Sequence, residues 1–457
     1  MDPRARHPHH DGHAVPLRRG SGPARDADRL RYLRVVTGPA PRPAQDWRVL
    51  VAIFWVTQLV ESMGVSQVYA LLPAYLRELG VPDADRLAFV GLYGSLVFVL
   101  GLPLVPLWGV WADKYSRKVV IVRSALVEVA VFGLAALARE PWMMALAVLG
   151  IGFQLGNTGV MLAAIRDVTP HHRVGTTIAI FGAAGPIGFA MGPVLAGVLI
   201  DGAGWAISNV FALSAVFSMG TALAVWFGTH EVRPAVVPEG RTITLAFGAM
   251  RSVLGDPIVR RLFLIYGVVF LANQVSRPYT PVLVEDIVGA GTGLAASIGL
   301  VMGAASLVGA LMAPLAGYLG DHIGFRPVLV VALAAGAVAS LLMPLMPALA
   351  PLAGAALLLG AAAATTGAMV FSLLATEVPI ERRSQTLNLV YLPLYVAGLI
   401  GPAIGAALAS ITGPHGPFVA GAIVFAAGAV AVASMRVVGS AGSAGEPGRE
   451  GAATPLG

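Results

Sequence analysis

From Arg48 onward, long apolar stretches alternate with short connections that carry most of the charge. Each apolar stretch is about 20 residues or longer, the length that an α-helix needs to cross the roughly 30 Å hydrocarbon core of a bilayer. The pattern therefore predicts an all-α membrane protein with twelve spans, at 49–73, 87–110, 118–138, 142–165, 175–199, 204–227, 260–284, 293–316, 327–346, 349–374, 386–410 and 415–436.

The composition agrees with this pattern and limits the chemistry. Hydrophobic residues make up 57% of the chain and charged residues 12%, whereas soluble domains average about 45 to 50% and about 25%. The chain has no Cys, so disulfides are excluded and a zinc site would need His and carboxylates. No HExxH, GxSxG or P-loop motif is present. We predict no enzyme activity, no cofactor and no metal.

Basic residues predict how the spans are oriented, because Lys and Arg are retained on the cytoplasmic side of short loops. The connections after odd-numbered spans carry three, namely Arg77, Arg86 and Arg139. Those after even-numbered spans carry fourteen, namely Lys114, Arg117, Lys118, Arg123, Arg166, Arg173, Arg233, Arg241, Arg251, Arg260, Arg261, Arg326, Arg382 and Arg383. Both chain termini are therefore predicted to be cytoplasmic.

The polar parts of the sequence divide the chain into regions. Residues 1–47 are predicted to be a disordered basic cytoplasmic arm. Its "HPHHDGH" segment could bind a metal, but a flexible polar tail is the favoured interpretation. Without interleaved aromatic residues, the arm does not predict a nucleic-acid partner. A cytoplasmic linker at 229–259 joins bundles at 48–228 and 260–436, and 437–457 is predicted to be a disordered tail.

The two predicted bundles repeat each other in sequence. "VSQVY" at 65–69 returns as "VSRPY" at 275–279, and "GVWADKYSRK" at 109–118 returns as "GYLGDHIGFR" at 317–326. "TPHHR" at 169–173 likewise pairs with "PIERR" at 379–383. The nearly equal offsets predict two six-helix bundles with the same orientation in the membrane.

Twelve spans in two parallel repeats, with these loop motifs, resemble the major facilitator superfamily. The first loop motif keeps its typical residues but has Ser116 where glycine is usual. In this family the motif is expected to act as a cytoplasmic latch that holds while the bundles are apposed and favours the outward-open state. The alternative is that its basic residues only fix topology. The latch residues are Gly109, Asp113, Arg117, Lys118, Gly317, Asp321 and Arg326.

The fifth predicted span, "FGAAGPIGFAMGPVLAG", resembles the antiporter motif of this superfamily. Glycines on one helix leave a groove for close packing, and prolines bend the helix; ordinary small-residue packing is the alternative. The resemblance implies the twelve-span drug-proton antiporter branch. The fourth span departs from that branch, because "LAVLGIGFQLGNTG" has no Arg. The motif residues are Gly182, Gly185, Pro186, Gly188, Gly192 and Pro193.

Three ionisable residues are predicted at membrane depth, where charges are costly and therefore functional candidates. Glu61 lies about 20 Å into the core and Glu128 about 15 Å. Glu61 is expected to carry protons or bind substrate, unless it forms a fixed ion pair with Arg277. Arg277 could instead contact an anionic substrate or close an outer gate against Glu61 or Asp286, and the gate is preferred. Glu128 could serve the cavity or only the bundle interior.

Uncharged polar residues complete the predicted cavity. Gln154 and Asn157 lie three apart on the fourth span and can face one way, as can Asn388 and Tyr391 on the eleventh. The cavity residues are Gln58, Gln154, Asn157, Asn273, Gln274, Asn388 and Tyr391.

Together these features predict a monomeric secondary transporter in the bacterial cytoplasmic membrane. Its partners would be protons, the lipid bilayer and a small molecule. The first hypothesis is proton-coupled efflux of lipophilic or cationic compounds. The alternative is an importer, or a carrier of a sugar, organic anion or lysolipid.

Overall fold

The computed structural model describes residues 46–234, 237–377 and 392–434, and within these ranges the regular structure is helical, with no strand. The prediction of twelve spans is confirmed. They run Trp47–Glu78, Asp83–Lys114, Arg117–Ala136, Pro141–Val168, His171–Gly202, Ile207–Gly228, Val259–Val288, Leu294–Ile323, Phe325–Leu345, Leu349–Leu373, Leu392–Thr412 and His415–Ser434. Nearly all of the predicted arm, the tail at 437–457 and the predicted start of the eleventh span lie outside the described residues.

The second and third spans are joined by a turn of two residues, Tyr115 and Ser116. The hydroxyl of Ser116 accepts a hydrogen bond from the amide of Val119 at 3.0 Å. Ser116 also has the extended backbone conformation that is typical of a helix N-cap. The serine that stands in place of the usual glycine therefore begins the third span.

Several spans contain a break or an irregular turn. The fourth consists of Pro141–Gln154 and Asn157–Val168. In the seventh, Pro257–Ser276 and Thr280–Val288 are separated by a 3-10 turn, Arg277–Tyr279. The fifth span contains a 3-10 turn, a helix and a π turn, which are His171–Arg173, Val174–Gly197 and Val198–Gly202. The ninth span is the helix Phe325–Leu342 followed by the 3-10 turn Met343–Leu345. The helix of the tenth span is Leu349–Glu377, and the linker holds the helix Thr242–Gly255.

The packing of the helices repeats from the first six spans to the second six. In the first half, the first span packs on the fifth and sixth, the third on the fourth and sixth, and the second on the fourth. Each pairing recurs six spans later in the second half. Large apolar side chains such as Leu311 and Ile411 are 69% and 82% exposed, which is typical of a surface that faces lipid. The structure thus contains the two equivalent bundles that the sequence repeats predict.

The two halves contact each other mainly through the second span with the eleventh and the fifth with the eighth. These contacts are close because they are made at glycines. A Cβ on Gly91 would lie 2.6 Å from the carbonyl oxygen of Pro402, and one on Gly299 would lie 2.5 Å from that of Pro193. We call the side where the first span begins the near side, and the opposite side the far side. Both glycines lie toward the far side.

Candidate functional site

The carboxylate of Glu61 is buried within the first half and is held by two amide side chains. Glu61 is 6% exposed. Asn157 Nδ2 donates to its Oε2 at 2.8 Å, and Gln154 Nε2 donates to its Oε1 at 3.4 Å. Because these partners are neutral, the carboxyl group can change its protonation without breaking a fixed salt bridge.

A break in the fourth span brings the two amides to Glu61. The helix ends at Gln154 and begins again at Asn157, and Gly156 between them has a φ of +98°. This is a conformation that glycine adopts far more readily than other residues. Gln154 and Asn157 face the same carboxylate, as their spacing predicts, but they do so across a break and not along a continuous helix.

Gln58 lies one turn before Glu61 and also contacts the fourth span. Its Nε2 donates to Ser62 Oγ at 3.1 Å, and its Oε1 accepts from Thr158 Oγ1 at 2.9 Å. The first and fourth spans are therefore linked by a continuous group of polar side chains on both sides of the break.

Arg123 is the residue of this site that the sequence analysis missed, because it was counted among the connections that orient the chain. It lies inside the third span, in a partly buried position. Its guanidinium carbon is 3.7 Å from the ring centre of Trp108, and its charge acts on the Glu61 carboxylate. The signal available in the sequence was its distance of five residues from Lys118, which places it within the apolar stretch.

Glu128 lies on the same span as Arg123 and is 2% exposed. It accepts a hydrogen bond from Ser218 Oγ of the sixth span at 2.9 Å. Its charge also acts on Glu61. Of the two settings considered for Glu128, the structure places it in the interior of the first half.

Arg277 is not paired with an acidic residue among those described. Its guanidinium carbon lies 4.8 Å from the ring centre of Tyr69 and 4.7 Å from that of Phe189. The expected ion pair with Glu61, and a gate made with Glu61 or Asp286, are therefore not found in this structure. Arg277 nevertheless joins the second half to the first, through cation-π contacts instead of charges.

The other predicted cavity residues are only partly brought together. Gln274 is buried, and its Cβ faces Gly401 of the eleventh span. Asn273 is half-buried one residue earlier on the seventh span. Asn388 and Tyr391 lie outside the described residues.

The near ends of the second and third spans hold a cluster of charges around Arg117. Its guanidinium contacts Asp113 at 2.8 Å and Asp167 at 2.7 Å. The backbone amide of Arg117 donates to Glu231 of the linker at 2.8 Å, and Lys118 Nζ donates to the carbonyl of Thr229 at 2.7 Å. Among the described residues, the cluster is complete without the second half. The expectation that it holds only while the bundles are apposed is not met.

The repeated copy of this motif is built differently. Arg326 Nε donates to the carbonyl oxygen of Val432 at 2.9 Å, at the end of the twelfth span, and Asp321 is exposed. A Cβ on Gly109 or Gly317 would meet no atom within 4 Å. Neither glycine is therefore a point of close helix approach among the described residues.

The glycines of the fifth span fall into two groups. A Cβ on Gly188 would lie 2.3 Å from the carbonyl oxygen of Leu59, and one on Gly192 would lie 2.4 Å from that of Met63. A Cβ on Gly182 or Gly185 would make no such close approach. Pro186 and Pro193 both lie within the helix. The fifth span thus packs tightly on the first and also contacts the eighth across the halves.

On the far side, polar contacts join the two halves. Asp201, at the end of the fifth span, accepts from the backbone amides of Gly293 and Ala296 at 2.9 and 2.6 Å, where the eighth span begins. Tyr279 Oη donates to the carbonyl oxygen of Leu87 at 3.1 Å. Glu285 of the seventh span forms salt bridges with Arg77 and with Arg86, the latter at 3.3 Å. These contacts close the far side.

Two equivalent six-helix halves with ionisable groups buried at membrane depth are typical of secondary transporters. The model of the Major Facilitator Superfamily matches residues 53–296 and 262–457, and the chain belongs to this family. Its members are transporters of small molecules and not enzymes. The protein is thus an integral membrane transporter with twelve spans.

Individual relatives have low sequence identity to this chain. Multidrug resistance protein MdtG of Klebsiella pneumoniae (strain 342) is 27% identical over 290 residues, which cover 63% of this chain and 69% of the relative. MdtG of Enterobacter lignolyticus (strain SCF1) is also 27% identical over 290 residues, covering 63% and 68%.

Among solved structures, the human organic anion transporter MFSD10 has a TM-score of 0.64 at 18% identity, covering 86% of this chain and 100% of that one. The nucleoside transporter NupG has a TM-score of 0.68 at 16% identity, covering 84% and 98%. At these identities the likeness is one of fold.

Proposed function

We propose that this protein is a proton-coupled exporter of small lipophilic or cationic compounds in the bacterial cytoplasmic membrane, with its near side and both termini in the cytoplasm. The observation that carries the proposal is the buried Glu61 carboxylate with its two neutral amide donors. The name of the MdtG relatives, which refers to multidrug resistance, supports the choice of substrate class.

Glu61 performs the exchange that such an exporter requires. When a lipophilic cation enters from the near side, the Glu61 carboxyl group releases its proton to that side, and the carboxylate that results stabilises the bound cation. After the site opens to the far side, a proton from outside neutralises the carboxylate and releases the cation. The amides of Gln154 and Asn157 hold the ionised form by hydrogen bonds, so that it persists without bulk water.

The two sides of the protein then serve alternating access. The far-side contacts of Asp201, Glu285 and Tyr279 hold the state that accepts substrate from the near side. Arg277 acts with them as a gate residue, because it joins the halves through Tyr69 and Phe189. The charge cluster around Arg117 fixes the near ends of the first half, which move as a unit.

The test uses everted membrane vesicles with an imposed pH gradient and ethidium as the probe. Addition of ethidium should cause proton movement in vesicles with the native chain, and Glu61→Gln should abolish it. Glu239→Gln removes an exposed carboxylate of the linker and should leave the signal unchanged. Normal coupling in Glu61→Gln would remove Glu61 from the mechanism and the proposal with it.

The second candidate is an importer, or a carrier of a sugar, organic anion or lysolipid. Its support is Arg277, a membrane-depth cation held between aromatic rings from the other half. Ethidium accumulation in whole cells separates the two. Expression of an exporter lowers the intracellular dye, whereas an importer or an anion carrier does not.

A further inference from the structure

A buried nitrogen of Arg123 has no hydrogen-bond partner among the described residues. This nitrogen is Nη1. Two buried acceptor atoms, Gln154 Oε1 and Asn157 Oδ1, also have no hydrogen-bond partner among the described residues. Both acceptors belong to the amides that bind Glu61. Buried donors and acceptors without partners are uncommon because leaving them unpaired is costly. The polar atoms around Glu61 are therefore not all satisfied in the arrangement seen here.

Arg123 is already connected to Glu61 through other side chains. Its Nη2 donates to Ser124 Oγ at 3.2 Å, and Ser124 in turn donates to the carbonyl oxygen of Gln154. That carbonyl lies at the break in the fourth span, and the Gln154 side chain donates to Glu61. Trp108 supports the guanidinium from the other side, with 3.7 Å between the guanidinium carbon and the ring centre. Stacking on an aromatic ring suits arginine, whose charge is weakly hydrated.

Few charges face this carboxylate. Among the residues that the structure describes, the groups whose charges act on Glu61 are Arg123 and Glu128, both from the third span. Glu128 opposes ionisation of Glu61, because two like charges at close range repel. The fourth span contributes only the amides of Gln154 and Asn157 and has no basic residue at this level. Arg123 is thus the cation available to balance Glu61 when its proton leaves.

We propose that Arg123 is the positioning cation of the proton-carrying site, and that its free Nη1 turns from Trp108 to the Glu61 carboxylate when Glu61 is deprotonated. When Glu61 is protonated, its hydroxyl donates to one of the free amide oxygens and Arg123 rests on Trp108. Arg123 acts on the substrate through Glu61 and does not itself bind the proton. This inference rests on the proposed function.

The test measures binding of tetraphenylphosphonium to the purified full-length protein as a function of pH, with proton release followed by a pH-sensitive dye. In Arg123→Gln, the pH at which binding is half-lost should rise by about one unit, because an opposite charge nearby favours the ionised carboxylate. Arg123→Lys keeps the charge and should restore most of the native profile. Arg139→Gln removes an exposed arginine beyond the far end of the same span and should leave the profile unchanged.

The outcomes separate this inference from the proposed function. Native protein that binds the cation without releasing a proton would overturn both. Native proton release with an unchanged pH midpoint in Arg123→Gln would overturn the role of Arg123 alone. So would a Lys variant that behaves like the Gln variant, because only the shape of arginine would then matter.

If Arg123→Gln alone does not fold, a second variant supplies the test. The double variant Glu61→Gln with Arg123→Gln removes both charges of the pair. It should recover monodisperse protein, because neither buried charge is left without its partner. Failure of the double variant to recover would mean that Arg123 supports the fold and not the carboxylate.

Discussion

The far-side contact made by Asp201 gives a direct way to shift the balance between the two states. Asp201 lies at the end of the fifth span and binds two backbone amides at the start of the eighth, at 2.9 and 2.6 Å. A carboxylate at a helix N-terminus is favoured both by the free amides and by the helix dipole. In Asp201→Asn, the side-chain oxygen can still accept one of the two hydrogen bonds. The side-chain nitrogen is itself a donor, so it cannot accept the second one from the other backbone amide.

The size of the effect follows from these two contacts. A hydrogen bond to a charged group contributes about 1.5 to 3 kcal/mol, and the dipole contributes about 0.3 to 1 kcal/mol at an exposed site. Asp201 is half-buried, so solvent screens part of this. We expect a loss of about 1 to 2 kcal/mol from the far-closed state, which raises the ratio of far-open to far-closed molecules roughly 5- to 30-fold.

The chain has no cysteine, so the native sequence serves as the background for labelling. Cysteines introduced at Glu140 and Ala348, exposed positions on far-side connections of opposite halves, can carry spin labels for distance measurement. The longer distance should gain population in Asp201→Asn. Asp85→Asn, an exposed change on the same side, should not shift it. Equal populations in the native and Asp201→Asn proteins would refute the idea that this contact holds the far side closed.

Two further predictions concern glycines that the structure requires for different reasons, which are close packing at Gly192 and a positive φ at Gly156. Gly192→Ala places a Cβ 2.4 Å from a main-chain carbonyl of the first span, so we expect a destabilisation of about 1 to 3 kcal/mol, seen as a lower Tm in detergent. Gly156→Ala meets no atom closer than 3.5 Å but forces alanine to a φ of +98°. It should cost about 1 to 2 kcal/mol and weaken ethidium-driven proton movement, because the amides move away from Glu61.

Each glycine prediction has its own control. Gly182→Ala lies on the same helix as Gly192 with no atom within 4 Å of the new Cβ, so its Tm should be equal or higher. If Gly182→Ala and Gly192→Ala lowered the Tm equally, close packing on the first span would not be the cause. For Gly156, asparagine tolerates positive φ better than alanine, and Gly156→Asn should be the milder change. An Ala variant as stable as the native protein would contradict the argument from φ.

The sequence by itself determined the twelve spans, their repetition and the fifth span as a helix of close contacts. These features depend on local properties, because a bilayer requires every span to be apolar and to satisfy its own backbone hydrogen bonds. Glu61 could be selected in the same way, since a carboxylate in an apolar stretch stands out without any knowledge of its neighbours.

Tertiary structure alone decided what those residues contact. One glycine among 55 breaks the fourth span, and nothing local distinguishes Gly156 from the others. Arg277 was expected to meet a carboxylate and instead lies between two aromatic rings, because partners from distant spans are fixed by how the halves pack. Asp201 was missed for the same physical reason. Its role depends on backbone amides 92 and 95 residues away, and the alternation of apolar and polar positions carries no information about such pairs.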